Sequence, residues 1–302
     1  MKKLGLSIIA LLIGGASALA ADLPSRKGPP VLPPPPPPPP MWTGFYVGLN
    51  AGGTWANNAS IQTAGFPAAS DVLFVDDHSA ALAAVSTGYI SGGSNAGFIG
   101  GGQIGYNYQF TSLVAGVEAD IQGIAGSSGS RNFVTAAQVG NFPEYYTGFG
   151  TVRRNVDYIG TVRGRLGWLF TPTLLVYGTG GFAYGGVSLN GAFSAQESLG
   201  PDTFPPVFGG VNYSSTRTGW TAGGGVEWMF WPNWSAKAEY LYYDLGSVRT
   251  NGVLTQLNAG ANNALWGAAI TQTTARFNGN IVRAGVNYHF NWGSAAPVIA
   301  KY

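Results

Sequence analysis

The sequence predicts an all-β chain, an eight-stranded antiparallel up-and-down transmembrane β-barrel of the kind that crosses an outer membrane. Three observations carry that prediction. From Trp42 onward, segments recur in which aromatic or aliphatic residues alternate with small or polar ones, the period-two pattern of a strand with two unlike faces. Their connections alternate between turns of two or three residues and stretches of about 24 to 40, as expected where short turns lie at one rim of an outer-membrane barrel and long loops at the other. The composition, with 9% charged residues, 47 Gly and 13% aromatics, departs from that of an ordinary soluble domain.

The elements follow in order. Lys2 and Lys3 precede an apolar run from Leu4 to Ile13 and the small-residue stretch Ala18-Leu19-Ala20, so residues 1–20 read as a secretory signal peptide cleaved between Ala20 and Ala21. The apolar run falls short of the roughly 20 residues that a membrane-spanning helix needs. Residues 21–41 form a proline-rich linker. Its run Pro33 to Pro40 has no amide donor for a sheet and favours a polyproline II rod of about 25 Å, at about 3.1 Å per residue. It reads as a solvated spacer or a docking ligand on the periplasmic side. The barrel then occupies 42–292, and 293–302 is a C-terminal tail. The absence of Cys excludes disulfides, which leaves a closed hydrogen-bonded architecture to stabilise an exported chain. A net charge of +2 makes no case for nucleic acid.

Eight strands are predicted near 42–55, 96–110, 113–124, 155–170, 174–189, 214–230, 234–245 and 275–292. In the third, Leu113, Ala115, Val117, Ala119 and Ile121 oppose Glu118, Asp120 and Gln122. In the fourth, Val156, Tyr158, Val162, Leu166, Trp168 and Phe170 oppose Asp157, Thr161, Arg163 and Arg165. Trp220, Val226, Trp228 and Phe230 oppose Thr221 and Glu227; Ala236, Ala238 and Tyr240 oppose Lys237 and Glu239; Val282, Val286, Tyr288 and Phe290 oppose Arg283 and Asn287. A charge facing lipid at mid-bilayer costs about 2–4 kcal/mol, so the apolar face is the outer one. A polar interior excludes a lipocalin-type barrel, which lines its cavity with apolar residues. Aromatics near strand ends, among them Trp42, Phe45, Tyr106, Tyr108, Phe110, Trp168, Trp228, Trp231, Trp234 and Trp292, form the girdle expected at the headgroups. The predicted lumen charge network is Glu118, Asp120, Asp157, Arg163, Arg165, Glu227, Lys237, Glu239 and Arg283. An eight-stranded interior is only as wide as side chains fill, and unpaired charges there carry a large desolvation cost, so mutual pairing is expected.

The segment Trp42-Thr43-Gly44-Phe45-Tyr46-Val47-Gly48-Leu49-Asn50-Ala51-Gly52-Gly53 resembles the opening strand of the small porin-like outer-membrane proteins of alpha-proteobacteria, often called outer-membrane immunogenic proteins, with OmpA-like eight-stranded barrels. Ala236 to Gly246 and Arg283 to Phe290 resemble that family's seventh and eighth strands, and Leu174 to Gly186 its fifth. The resemblance covers the strands and leaves out the loops. It implies a Gram-negative outer-membrane location with both barrel ends periplasmic, exposed antigenic loops, and roles in envelope integrity or porin-like permeability. In the last strand Arg283, Gly285, Tyr288 and Phe290 fit the polar-x-Gly-x-x-aromatic-x-aromatic pattern that the barrel-assembly machinery is thought to read. Expected partners are outer-membrane lipid and lipopolysaccharide, that machinery, and peptidoglycan or a periplasmic protein through the proline tract.

No catalytic, cofactor or metal motif is present: HExxH, GxSxG and Walker patterns are all missing. His78 follows Asp76 and Asp77 in the first long loop and His289 lies near the last turn; beside those carboxylates His78 offers a metal or haem contact or a hydrolase-like Asp/His pair, but a loop histidine of this kind ordinarily reads as solvated. That loop also holds Val72 to Val75 and Ala80 to Val85, apolar stretches that extend strands, fold onto the rim or meet a partner. A hairpin over Leu73 to Thr87 would make ten strands and a wider interior. The functional expectation is a structural and surface-interaction barrel without enzymatic activity; the alternatives are a small-solute porin with a narrow polar lumen and a loop-based ligand (haem) receptor.

Overall fold

The computed structural model describes residues 41–57, 60–68, 75–90, 96–126, 129–258 and 264–290. The signal segment with Ala20 and Ala21, the proline tract, Val72 to Phe74, Trp292 and the C-terminal tail lie outside the described residues. The elements run β1 (Gly44–Ala56), β2 (Ile61–Pro67), α1 (Val75–Ser86), β3 (Gly88–Ile90), β4 (Ala96–Phe110), β5 (Leu113–Ala125), β6 (Gly129–Gln138), β7 (Glu144–Thr171), β8 (Leu174–Leu199), β9 (Asp202–Thr203), β10 (Val207–Trp231), β11 (Trp234–Asn258) and β12 (Ala264–Phe290). Eight of these strands close a ring in the order β1, β4, β5, β7, β8, β10, β11, β12, and β1 pairs back onto β12 from Phe45 opposite Phe290 to Ala56 opposite Gly279. The predicted eight-stranded antiparallel barrel is what forms. Its tight turns hold Thr111 and Asn233 at positive φ, 58° and 69°, the twist that short hairpins demand.

The ring is taller than predicted. β7, β8, β10, β11 and β12 are 25 to 28 residues long, and at about 3.3 Å per residue each runs roughly 85 Å. Tilted about 40°, such strands rise far above an apolar band about 25 Å tall. Where β1, β4 and β5 end, shorter strands carry the wall on: β2 pairs with β12 from Ile61 opposite Ala275, β3 pairs with β2, and β6 pairs with β7 from Gly129 opposite Arg154. The stretches expected as long loops are therefore largely a second storey of sheet.

The two storeys face opposite ways. Near the short turns, Leu49, Val117, Val162, Leu166, Trp168, Val226, Trp228 and Val286 point outward and are exposed. Above them, Val152, Val187, Leu189, Phe193, Val211, Leu254 and Phe277 are buried inside. The outer face there is mixed, with Asn190, Arg249 and Arg276 beside exposed Val134, Phe149, Phe208, Val253 and Ile270. A wall facing lipid keeps its apolar side out, whereas a wall facing water keeps it in.

Residues Ala80 to Val85, within the first long connection, belong to a helix seated inside the upper storey, which excludes the ten-stranded alternative. Ala81, Leu82, Ala83 and Val85 are buried, packed toward β2, β6, β7 and β12. Thr135 Oγ1 donates to the Val85 carbonyl and the Ala268 amide donates to Ser79 Oγ at 3.0 Å. Gly65 and Gly148 allow this approach, because a Cβ on either would clash with the carbonyls of Ala83 and Val85.

Leu82 is fully buried, and Leu82→Ala should cost the docked helix about 2–5 kcal/mol. Hydrogen exchange is expected to show amides of 75–86 losing protection while those of β5 keep theirs; equal loss in both would mean that α1 and the lower wall unfold as one unit.

Candidate functional site

Four acids and four bases meet inside the lower storey: Glu118 and Asp120 from β5, Arg163 and Arg165 from β7, Glu227 from β10, Lys237 and Glu239 from β11, and Arg283 from β12. None is more than 5% exposed. Strand register assembles them, since Glu118 lies directly opposite Arg163, Glu227 opposite Lys237 and Glu239 opposite Arg283. On the other flank, a glycine faces most of these side chains: Gly105 faces Glu118, Gly181 faces Arg163, Gly225 faces Glu239 and Gly52 faces Arg283. Their missing side chains leave the lumen to the long charged ones.

Arg163 is the hub. Its guanidinium donates to Glu239 Oε1 at 3.0 Å, to Asp120 Oδ2 at 2.8 Å and to Glu118. Arg283 donates to Asp120 Oδ2 and, through Nε, to Glu239 Oε2, both at 2.8 Å. Lys237 Nζ reaches both oxygens of Glu118 at 3.0 Å. Arg165 binds Glu227 at 2.6 Å and lies 4.1 Å from the centre of the Tyr177 ring. Two tyrosines not among the predicted lumen residues complete the layer: Tyr46 donates to Glu118 Oε2 at 2.7 Å and Tyr177 to Glu239 Oε1 at 3.1 Å. Tyr46 shares its parity with Asn50, so its inward direction was readable. Nearer the short turns, Glu227 also accepts from Ser235 and Asn287 and lies 3.3 Å from His289.

Two placements differ from the expected ones. Asp157 stands outside the layer: β7 bulges between Val156 and Tyr158, which turns Val156 toward the apolar core and Asp157 to the exposed outer face, where it accepts from Asn155. Without the bulge a carboxylate would point into the core beside Ile159. Trp42 is no girdle residue. It is fully buried in the short-turn mouth with Val114, Leu175 and Met229, its indole donating to the Pro172 carbonyl at 3.0 Å. Tyr288 and Phe290 do lie on the lipid side, edge to face at 5.0 Å, while Arg283 of the same pattern points inward and Gly285 lies opposite Lys237.

A second polar cluster sits at the far rim, where His78, expected in a solvated loop, is instead buried on α1. His78 is 2% exposed, and its Nε2 lies 3.3 Å from both Glu144 Oε2 and Glu197 Oε1. Burial pushes the Glu197 carboxyl up, but hydrogen bonds from His78, Gln256 and Tyr146 outweigh it and hold the group below its ordinary range. Burial and the Glu197 charge push the Tyr146 phenol up. His78, Glu144 and Glu197 are brought together only by docking α1 against β7 and β8, so no local motif announces them.

Comparison with known proteins is consistent in kind. The sequence model of the outer membrane protein beta-barrel domain matches residues 8–290. The 31 kDa outer-membrane immunogenic protein of Brucella melitensis biotype 1 is 33% identical over 292 residues, covering 96% of this chain and 100% of that protein. The 25 kDa outer-membrane immunogenic protein of Brucella abortus biovar 1 is 26% identical over 247 residues, 82% of this chain and 86% of its own. Among solved structures, the outer-membrane protein OprG of Pseudomonas aeruginosa matches 82% of this chain and 97% of its own at 10% identity, with a TM-score of 0.36.

Replacing the hub tests the layer. Arg163→Met leaves Glu118, Asp120 and Glu239 short of a cation, and a broken buried pair costs about 3–5 kcal/mol. Denaturant unfolding from lipid vesicles should register that loss, and Arg163→Met combined with Glu239→Gln should recover part of it; an unshifted midpoint in the single variant would show that the layer contributes nothing to stability.

Proposed function

The chain belongs to the outer membrane protein beta-barrel domain family, and from that footing we propose that this outer-membrane protein is a sealed structural and surface-presenting barrel rather than a solute pore. The carrying observation is the charge-balanced layer of Glu118, Asp120, Arg163, Arg165, Glu227, Lys237, Glu239 and Arg283, whose guanidinium, ammonium and carboxylate groups are spent on one another. An eight-stranded interior has little room beyond its side chains. Trp42 below and α1 above add two further obstructions in series. Passage of a hydrated solute would require several buried ion pairs to open together, which the desolvation cost of each charge opposes.

On this reading the working surface is outside. The lower wall with its aromatic girdle meets lipid and the acyl chains of lipopolysaccharide, the last strand presents Tyr288 and Phe290 to the assembly machinery, and the proline tract reaches peptidoglycan or a periplasmic protein. The Brucella relatives are named for immunogenicity, which supports assigning the surface epitopes of this chain to its projecting upper storey.

The decisive test is single-channel conductance of the signal-free protein refolded into planar bilayers. The folded wild type is expected to be silent, and Arg163→Ala with Glu118→Ala is expected to admit small salt-dependent openings. Stable openings in the wild type, altered by neutralising either residue, would make the protein a porin.

A further inference from the structure

We propose that His78, Glu144 and Glu197 bind a divalent transition-metal ion of the zinc class, and that the ion clips α1 to the rim of the barrel. The three donor atoms come from α1, β7 and β8 and all lie within 4.8 Å of one another. Both carboxylate oxygens stand 3.3 Å from the same nitrogen, His78 Nε2. Hydrogen bonding accounts for one of these contacts, His78 Nε2 with Glu197 Oε1 at 3.3 Å, but not for the equal approach of a second carboxylate to the same nitrogen. One ring nitrogen carries at most one proton and cannot satisfy two carboxylates, and a charge-assisted bond would draw its oxygen in to about 2.7–2.9 Å. Metal coordination fits the two nitrogen–oxygen distances, and the two carboxylate oxygens, within 4.8 Å of each other, would close around the ion on binding. With ligand distances of about 2.1 Å, neighbouring donors lie roughly 3.0 Å apart in an octahedral shell and roughly 3.4 Å apart in a tetrahedral one.

The surroundings orient the donors as outer-shell groups do around metals. Glu197 Oε2 accepts from Gln256 Nε2 at 2.6 Å and from the Tyr146 hydroxyl at 3.2 Å, which aims Oε1 at His78. The Trp266 ring packs edge-on against the imidazole at 4.6 Å and Tyr146 does so at 6.1 Å. Two of the donors are buried, while the Glu144 side chain is 21% exposed, so an ion has an entry face on which solvent completes its shell. One imidazole and two carboxylates suit zinc, cobalt, nickel or manganese; calcium and magnesium prefer all-oxygen shells. The ion would hold the helix that fills the upper storey, at the rim farthest from the charge layer.

The test titrates Co2+ into the folded full-length protein in detergent micelles and reads its visible d–d absorption, followed by displacement with Zn2+. One equivalent should bind, His78→Ala and Glu144→Gln should each weaken binding at least tenfold, and Asp157→Asn should leave it unchanged. Zn2+ should also raise hydrogen-exchange protection of 75–86. Glu144 lies at the rim, so Glu144→Gln remains decisive if His78→Ala fails to fold. Absence of a d–d band, or a band of undiminished affinity in folded Glu144→Gln, would overturn the proposal.

Discussion

The lumen of an eight-stranded ring is a fixed and small volume, and the rest of the molecule is arranged around filling it. Closure through β1 and β12 removes every edge from the lower wall, which a sheet in lipid requires because no water is present to satisfy its amides. Closure also sets the interior diameter. Side chains pointing inward must then share a narrow column without voids and without stranded charges. The lower storey does so with four acids and four bases faced by glycines, the upper storey with aliphatic residues and a helix. The helix is needed because the upper wall is built from partly different strands, β2, β3 and β6, and encloses the buried faces of Leu82 and Val85 as its filling.

How far this could be read in the sequence depends on whether parity held. In β5, β10 and β12 the alternation runs unbroken through the lipid-facing region, so Glu118, Asp120, Glu227 and Arg283 were assignable to the interior from spacing alone. In β7 one extra residue at Asp157 flips every side chain beyond it, and nothing in Arg153 to Tyr158 advertises the insertion. β11 is likewise irregular between Asp244 and Ser247, where Gly246 takes a positive φ of 79°. The upper storey did leave a trace. Val187, Leu189, Phe193 and Ala195 alternate with Ser188, Asn190, Ser194 and Gln196 as regularly as any lower strand, but with polarity exchanged. A reading that expects apolar residues outward takes such a stretch for a loop. Of the rim cluster only His78, next to Asp76 and Asp77, left a trace; Glu144 and Glu197 join it through tertiary docking of a helix.

The charge layer does more for specificity than for stability. Buried ion pairs exchange hydration for Coulomb attraction at roughly even terms, and apolar replacements of similar volume are often neutral or stabilising. Their effect on alternative structures is larger. A one-residue slip of any one strand would turn its charges to the lipid, and an Arg or Lys at the bilayer midplane costs about 2–4 kcal/mol. A two-residue slip keeps the charges inside but breaks the opposition of Glu118 with Arg163, of Glu227 with Lys237 and of Glu239 with Arg283. It also brings a bulky side chain where a glycine now leaves space: a Cβ at position 52 would clash with the backbone of Val282 and Arg283. Strands of 25 residues or more, rich in glycine and alternating between small and aromatic side chains, have many near-equivalent registers. Eight mutually paired charges at one level leave a single register in which every acid has its base, so the layer fixes how the wall is assembled, and a sealed lumen is the structural consequence.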